Sequence, residues 1–167
     1  EVQFSDQGNG VFKGTYYVEA PSSVTRFPAN ALFSDDFEGG NVSKWNSSTT
    51  GIAASPVAKT GSYGVSYNLQ STTRATLTKT LSNMAESYTS FYFQVDPNFV
   101  MVPGDDIYIS LMADSSNRIP WAAKLRRYGD NLQLSVYLGG WTSLVGSWTN
   151  IVPGQWYWIK IHHKSAS

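Results

Sequence analysis

The chain has 167 residues, enough for one domain with an appendage and a sizeable core, and 12 Lys and Arg balance 12 Asp and Glu to a formal net charge of zero. That balance argues against a nucleic-acid partner, the lack of cysteine removes disulfides, thiol catalysis and zinc thiolate sites, and no apolar run is long enough for membrane insertion. Aromatic residues at 14% and charged residues at 14%, with Ser, Thr, Gly and Asn filling much of the remainder, predict an all-β fold of short strands and polar turns.

Residues 1–30 mix Gly8, Gly10 and Gly14 with the aromatic run Thr15-Tyr16-Tyr17-Val18 and end in Phe27-Pro28; they read as an arm with at least one added strand. The chain begins at Glu1 rather than Met, which reads as a processed or excised product, and no signal peptide is visible. Residues 33–38 alternate Phe33, Asp35 and Phe37 with Ser34, Asp36 and Glu38. They predict a strand that leads through a Gly39-Gly40 turn to a buried Trp45 and opens the main domain, residues 31–167. A weak strand over 52–57 is interrupted by Pro56, and Thr60-Gly61-Ser62 reads as a turn. In 63–69, Tyr63, Val65, Tyr67 and Leu69 share one face, and 75–81 repeats the pattern. Residues 83–87 form the one stretch compatible with a helical turn.

Five further strands can be assigned with both faces. In 90–95, Phe91, Phe93 and Val95 point inward and Tyr92 and Gln94 outward; in 106–113, Ile107, Ile109 and Leu111 point inward and Tyr108, Ser110 and Met112 outward. Strands at 121–128 and 132–137 join in a hairpin through Tyr128-Gly129-Asp130-Asn131, with Ala123, Leu125, Leu132, Leu134 and Val136 in the core. The last strand, 154–162, buries Tyr157, Ile159 and Ile161. The face opposite the core then collects Tyr92, Gln94, Tyr108, Lys124, Arg126, Gln133, Tyr137, Trp158, Lys160 and His162. Flat rings among amide, amine and guanidinium donors match the chemistry of a sugar, whose CH faces stack on rings while its hydroxyls take planar hydrogen bonds. Trp141, after Gly139-Gly140 in a loop, adds a candidate exposed stacking ring. The competing interpretation is a solvated strand face, for which Tyr and Thr are simply good strand formers.

Three motifs carry a family resemblance: residues 33–45 (Phe-Ser-Asp-Asp-Phe-Glu-Gly-Gly-Asn-Val-Ser-Lys-Trp), 59–64 (Lys-Thr-Gly-Ser-Tyr-Gly) and 154–157 (Gly-Gln-Trp-Tyr). Residues 31–163 resemble the concanavalin A-like, laminin-G-like jelly rolls found as lectins and glucanases in bacterial secreted proteins. The resemblance implies a two-sheet antiparallel β-sandwich, an extracellular or cell-surface location, a glycan or polysaccharide partner and, in some members, calcium, for which Asp36 and Glu38 are the candidate ligands. Such jelly rolls continue past the Trp156 strand into further strands, whereas this sequence ends at Ser167. The expectation is therefore that residues 1–30 supply strand material, within the chain or by donation to another copy, or that a second polypeptide completes the sandwich.

Catalysis has thinner support. Asp36 and Glu38 offer two carboxylates on one face, as glycoside hydrolysis needs, but the Glu-x-Asp-x-x-Glu strand motif of the glucanases is absent. A lyase would combine Tyr137 or Tyr108 with His162, Arg126 and Lys160, yet His162 and His163 are adjacent on a strand and point to opposite faces. The sequence thus favours a noncatalytic carbohydrate-binding module, with a structural subunit assembled by strand donation as the alternative and an enzyme third.

Overall fold

The computed structural model describes residues 4–6, 12–14, 31–69, 75–82, 84–138 and 144–164. Among the described residues there is no helix, and all strand pairing is antiparallel, as the composition predicts. Residues 1–19 together with 83–167 form one compact unit and residues 20–82 another. At the start of the first unit, Phe4–Asp6 (β1) pairs with Phe12–Gly14 (β2).

In the second unit, Ser47–Ser48 (β3), Ile52–Ser55 (β4), Gly64–Tyr67 (β5) and Leu77–Thr78 (β6) pair as β3–β6 and β4–β5. The strand expected over residues 33–38 does not form, although its alternation survives: Phe33, Asp35 and Phe37 are half-buried while Ser34, Asp36 and Glu38 are exposed. Local side chains take the backbone donors that a ladder would need. Asp35 Oδ1 accepts from the Phe37 N–H at 3.0 Å, Asp36 Oδ1 accepts from the Glu38 N–H at 3.3 Å, and Phe37 turns to φ 61°. Trp45 then closes a small cluster. Its ring meets Phe33 edge-on at 4.9 Å and stacks on Phe37 at 6.3 Å, and its Nε1–H donates to Asp35 Oδ2 at 2.8 Å. On the shared face of Tyr63, Val65, Tyr67 and Leu69 only Val65 is half-buried, and the other three are exposed.

The first unit carries the longer strands: Glu86–Gln94 (β7), Asp106–Met112 (β8), Trp121–Tyr128 (β9), Asn131–Leu138 (β10), Leu144–Ile151 (β11) and Trp156–Lys164 (β12). They form a four-stranded sheet in the order β11-β10-β9-β8 and a two-stranded sheet β12-β7, and β2 runs beside β11. The two sheets enclose one core. Trp121 and Ala123 of β9 pack with Ile159 and Ile161 of β12, flanked by Phe91, Phe93, Ile109 and Met112. Beside them Leu125, Val95 and Ile151 pack with Phe99, Ile107, Leu132 and Tyr157. This is a two-layer antiparallel β-sandwich whose buried side chains come from alternate positions, as the period-two pattern requires.

Two local expectations are corrected and one strand is added. Residues 86 and 87 already belong to β7, with Ser87 buried opposite His163, so the ladder replaces the proposed helical turn. Leu111 is exposed and Met112 packs in the core, the reverse of the assignment, because a bulge between Tyr108 and Ser110 shifts the register against β9 and inverts the alternation beyond it. Strand β11 was not anticipated. Its own irregularity explains why: Thr149 faces Leu134 but Val145 faces Val136, so five residues of β11 span three of β10 and the regular ladder is interrupted there.

Candidate ligand-binding face

The regular β9–β10 ladder sets the site. Leu125 and Ala123 point into the core, so Arg126 and Lys124 must point out; across the ladder Arg126 stands opposite Gln133 and Lys124 opposite Ser135. Adding the neighbours gives rows that cross the sheet. The first row runs Asp106, Arg126, Gln133, Asn150, and the second begins Tyr108, Lys124, Ser135.

These outward side chains form a continuous strip of rings and cations. The Lys124 ammonium lies 5.3 Å from the Tyr108 ring centroid and 5.5 Å from that of Tyr137, and it pairs with Asp106. Burial opposes the charge on Lys124, but the hydrogen bond and charge of Asp106 more than offset this and hold its pKa above the ordinary value. The Arg126 guanidinium lies 3.9 Å from the Trp148 ring centroid and 5.0 Å from that of Tyr128, and Trp148 meets Tyr137 edge-on at 6.0 Å. Arg126 Nε–H donates to Gln133 Oε1 at 2.9 Å, and Gln133 Nε2–H donates to Asn150 Oδ1 at 2.8 Å. Beneath this layer Ser135 is 2% exposed, and its hydroxyl has no hydrogen-bond partner among the described residues.

Five of the sequence-derived candidates, Tyr108, Lys124, Arg126, Gln133 and Tyr137, therefore come together here. Tyr92, Trp158, Lys160 and His162 do not, because they point outward from β7 and β12, the other layer of the sandwich. Alternation shows that a residue points away from the core, and in a sandwich there are two such directions. On that second face Tyr92 stacks on its cross-strand partner Trp158 at 5.5 Å, and the Lys160 ammonium sits 3.8 Å from the Trp158 ring centroid. His162 stacks on Tyr88 at 4.2 Å and its Nε2 lies 2.7 Å from Glu86 Oε1. That contact with His162 is the main cause that holds the Glu86 pKa below the ordinary value. Gln94 is half-buried there, and its Nε2–H donates to Gly154 O. Trp141 lies outside the described residues. Sequence reasoning missed Trp148, Tyr128 and Asn150 as members of the first face; with β11 unread, Trp148 and Asn150 had no face to belong to.

Asp36 and Glu38, the candidate calcium ligands, sit in the second unit with other partners. Both Glu38 oxygens accept from the Ser62 N–H, at 2.9 and 3.0 Å, and Oε1 also accepts from the Tyr63 N–H at 3.0 Å. Gly61, at φ 74°, completes this clamp, for a Cβ there would collide with the Glu38 carboxylate. Asp36 lies 3.5 Å from Lys44 Nζ, and the Glu38 N–H, with help from Lys44, holds its pKa below the usual carboxylate value. Among the described residues no three His, Cys, Asp or Glu side chains gather as a metal site.

Compared with known proteins, the chain matches no protein-family model, no curated protein and no solved structure.

Proposed function

We propose that this chain is a noncatalytic, extracellular carbohydrate-binding β-sandwich module, of the concanavalin A-like kind that its motifs resemble, with the glycan lying across the outer face of the four-stranded sheet. The observation that carries this reading is the contiguous strip Tyr108, Lys124, Tyr137, Trp148 and Arg126, in which rings and hydrogen-bond donors share one face of regular strands. Isolated exposed aromatics need no explanation, but a contiguous patch does. Rigid strands suit a binding surface because they hold each ring in place before the ligand arrives, which lowers the entropic cost of association. Within the described strip the one acid, Asp106, is engaged by Lys124, whereas two-carboxylate hydrolysis uses a pair.

A glycan array with the full chain tests this. Trp148→Ala and Tyr137→Ala are expected to lower binding about tenfold or more, the scale of losing a stacked ring. Trp158→Ala, on the opposite face, is expected to retain it. Retention in Trp148→Ala, with loss in Trp158→Ala, would move the site to the other sheet, and a chain that binds no glycan would end the reading.

The alternative, a structural subunit built by strand donation, is favoured by one feature. Among the described residues β7 and β12 are nine-residue strands that pair only with each other, and each such strand has a second edge. Light scattering across a concentration series decides it, since a monomer throughout removes donation between copies.

A further inference from the structure

We infer that the strip selects acidic saccharides, with Arg126 receiving a carboxylate; this rests on the glycan-binding role proposed above. The argument starts from charge pairing. Arg118 is bonded to Asp114, and Arg127 lies 3.9 Å from Asp130, whereas Arg126 has no carboxylate partner among the described residues. Asp106 stands directly opposite Arg126 in the ladder and could have neutralised it, but its carboxylate is engaged by Lys124. Among the described residues the strip thus holds two cations, Lys124 and Arg126, against one anion, Asp106, and the unbalanced one is the guanidinium.

Its orientation is set before any ligand binds. One face lies on Trp148, Tyr128 flanks it, and Nε is tied to Gln133. What remains is the pair of Nη groups, a planar fork whose geometry matches a carboxylate with two parallel hydrogen bonds. The amide row adds a second constraint. Arginine can only donate, so Gln133 must turn its oxygen to Arg126 and its nitrogen to Asn150, which in turn accepts through Oδ1 and presents Nδ2 as the end of the row. Guanidinium and terminal amide are therefore both donors. A ligand that fits them needs an anionic group beside further oxygen acceptors, which a uronic acid residue supplies through its carboxylate, ring oxygen and hydroxyls. The exposed Tyr128 ring, beside the guanidinium, is placed to take the apolar face of the same sugar.

The experiment prints uronic-acid oligosaccharides beside their own methyl esters, which keep the stereochemistry and remove the charge, and probes them with the full chain. The acids are expected to bind about tenfold or more tightly than the esters, as suits a hydrogen bond to a charged group, and the advantage should shrink as salt is raised. Arg126→Gln should abolish the preference, so that acids and esters bind alike and both more weakly than the acids bind the unaltered chain. Arg126→Lys, which keeps the charge without the fork, should retain only part of it. Equal binding of acids and esters, or a preference that survives Arg126→Gln, overturns this inference and leaves the glycan module standing. Absence of binding to acidic and neutral glycans alike overturns the module itself.

Discussion

The two outward faces of the sandwich are built from nearly the same residue types and use them differently. On the β7–β12 face the polar and aromatic groups find partners across a single ladder: Tyr92 with Trp158, Tyr88 with His162, and His162 with Glu86. Such cross-strand pairs are how antiparallel strands stabilise one another, and each contributes a fraction of a kcal/mol, about 0.2–1. On the four-stranded face the contacts run across all four strands, from Asp106 to Asn150, and among the described residues no carboxylate pairs with Arg126. Aromatic content alone therefore does not tell the two faces apart; the register, which sets how many strands the contacts cross, does.

The largest effect expected should break both faces at once. Leu125 is 1% exposed and sits in the core between the sheets, so Leu125→Ala should cost about 2–5 kcal/mol in urea unfolding, and the glycan binding proposed above should fall with the folded fraction. Acidification should act on the β7–β12 layer. Burial, with a smaller push from the charge of His162, holds the His163 pKa below its ordinary value of 6.5. The unfolded chain then takes up that proton more readily, so stability falls as pH drops through the unfolded value near 6.5. Glu86, whose pKa is also lowered, adds a further loss as pH drops below its ordinary value of 4.5. Thermal melts between pH 7.5 and pH 5 should show a decline smaller than the Leu125→Ala loss, and His163→Gln should flatten it. The smallest effect belongs to the four-stranded face. Ser135→Ala removes a buried hydroxyl that has no partner among the described residues, and should be neutral or stabilise by up to about 1 kcal/mol, in contrast to the usual cost of a buried deletion.

Much of the fold was legible because burial in antiparallel strands has a period of two, and the hairpin from Trp121 to Leu138 keeps that period without interruption. Legibility failed where something other than side-chain alternation controlled the backbone. At residues 33–38 the aspartates captured the N–H groups, at Tyr108–Ser110 a bulge inverted the faces, and in β11 the irregular register hid Trp148 and Asn150. The candidate site was half visible for the same reason. Tyr108, Lys124, Arg126, Gln133 and Tyr137 were recognisable as outward-facing, but so were Tyr92, Trp158, Lys160 and His162, and only the packing of the layers separates them.

By itself the amino-acid sequence determined the all-β class, the hairpin and the identity of the core residues on most strands, since these follow from local alternation and turn chemistry. Tertiary structure alone decided which outward residues share a surface and which of the described arginines lacks an acid. Both depend on strand order and register, which bring Arg126, Gln133 and Asn150 into one row from three different strands.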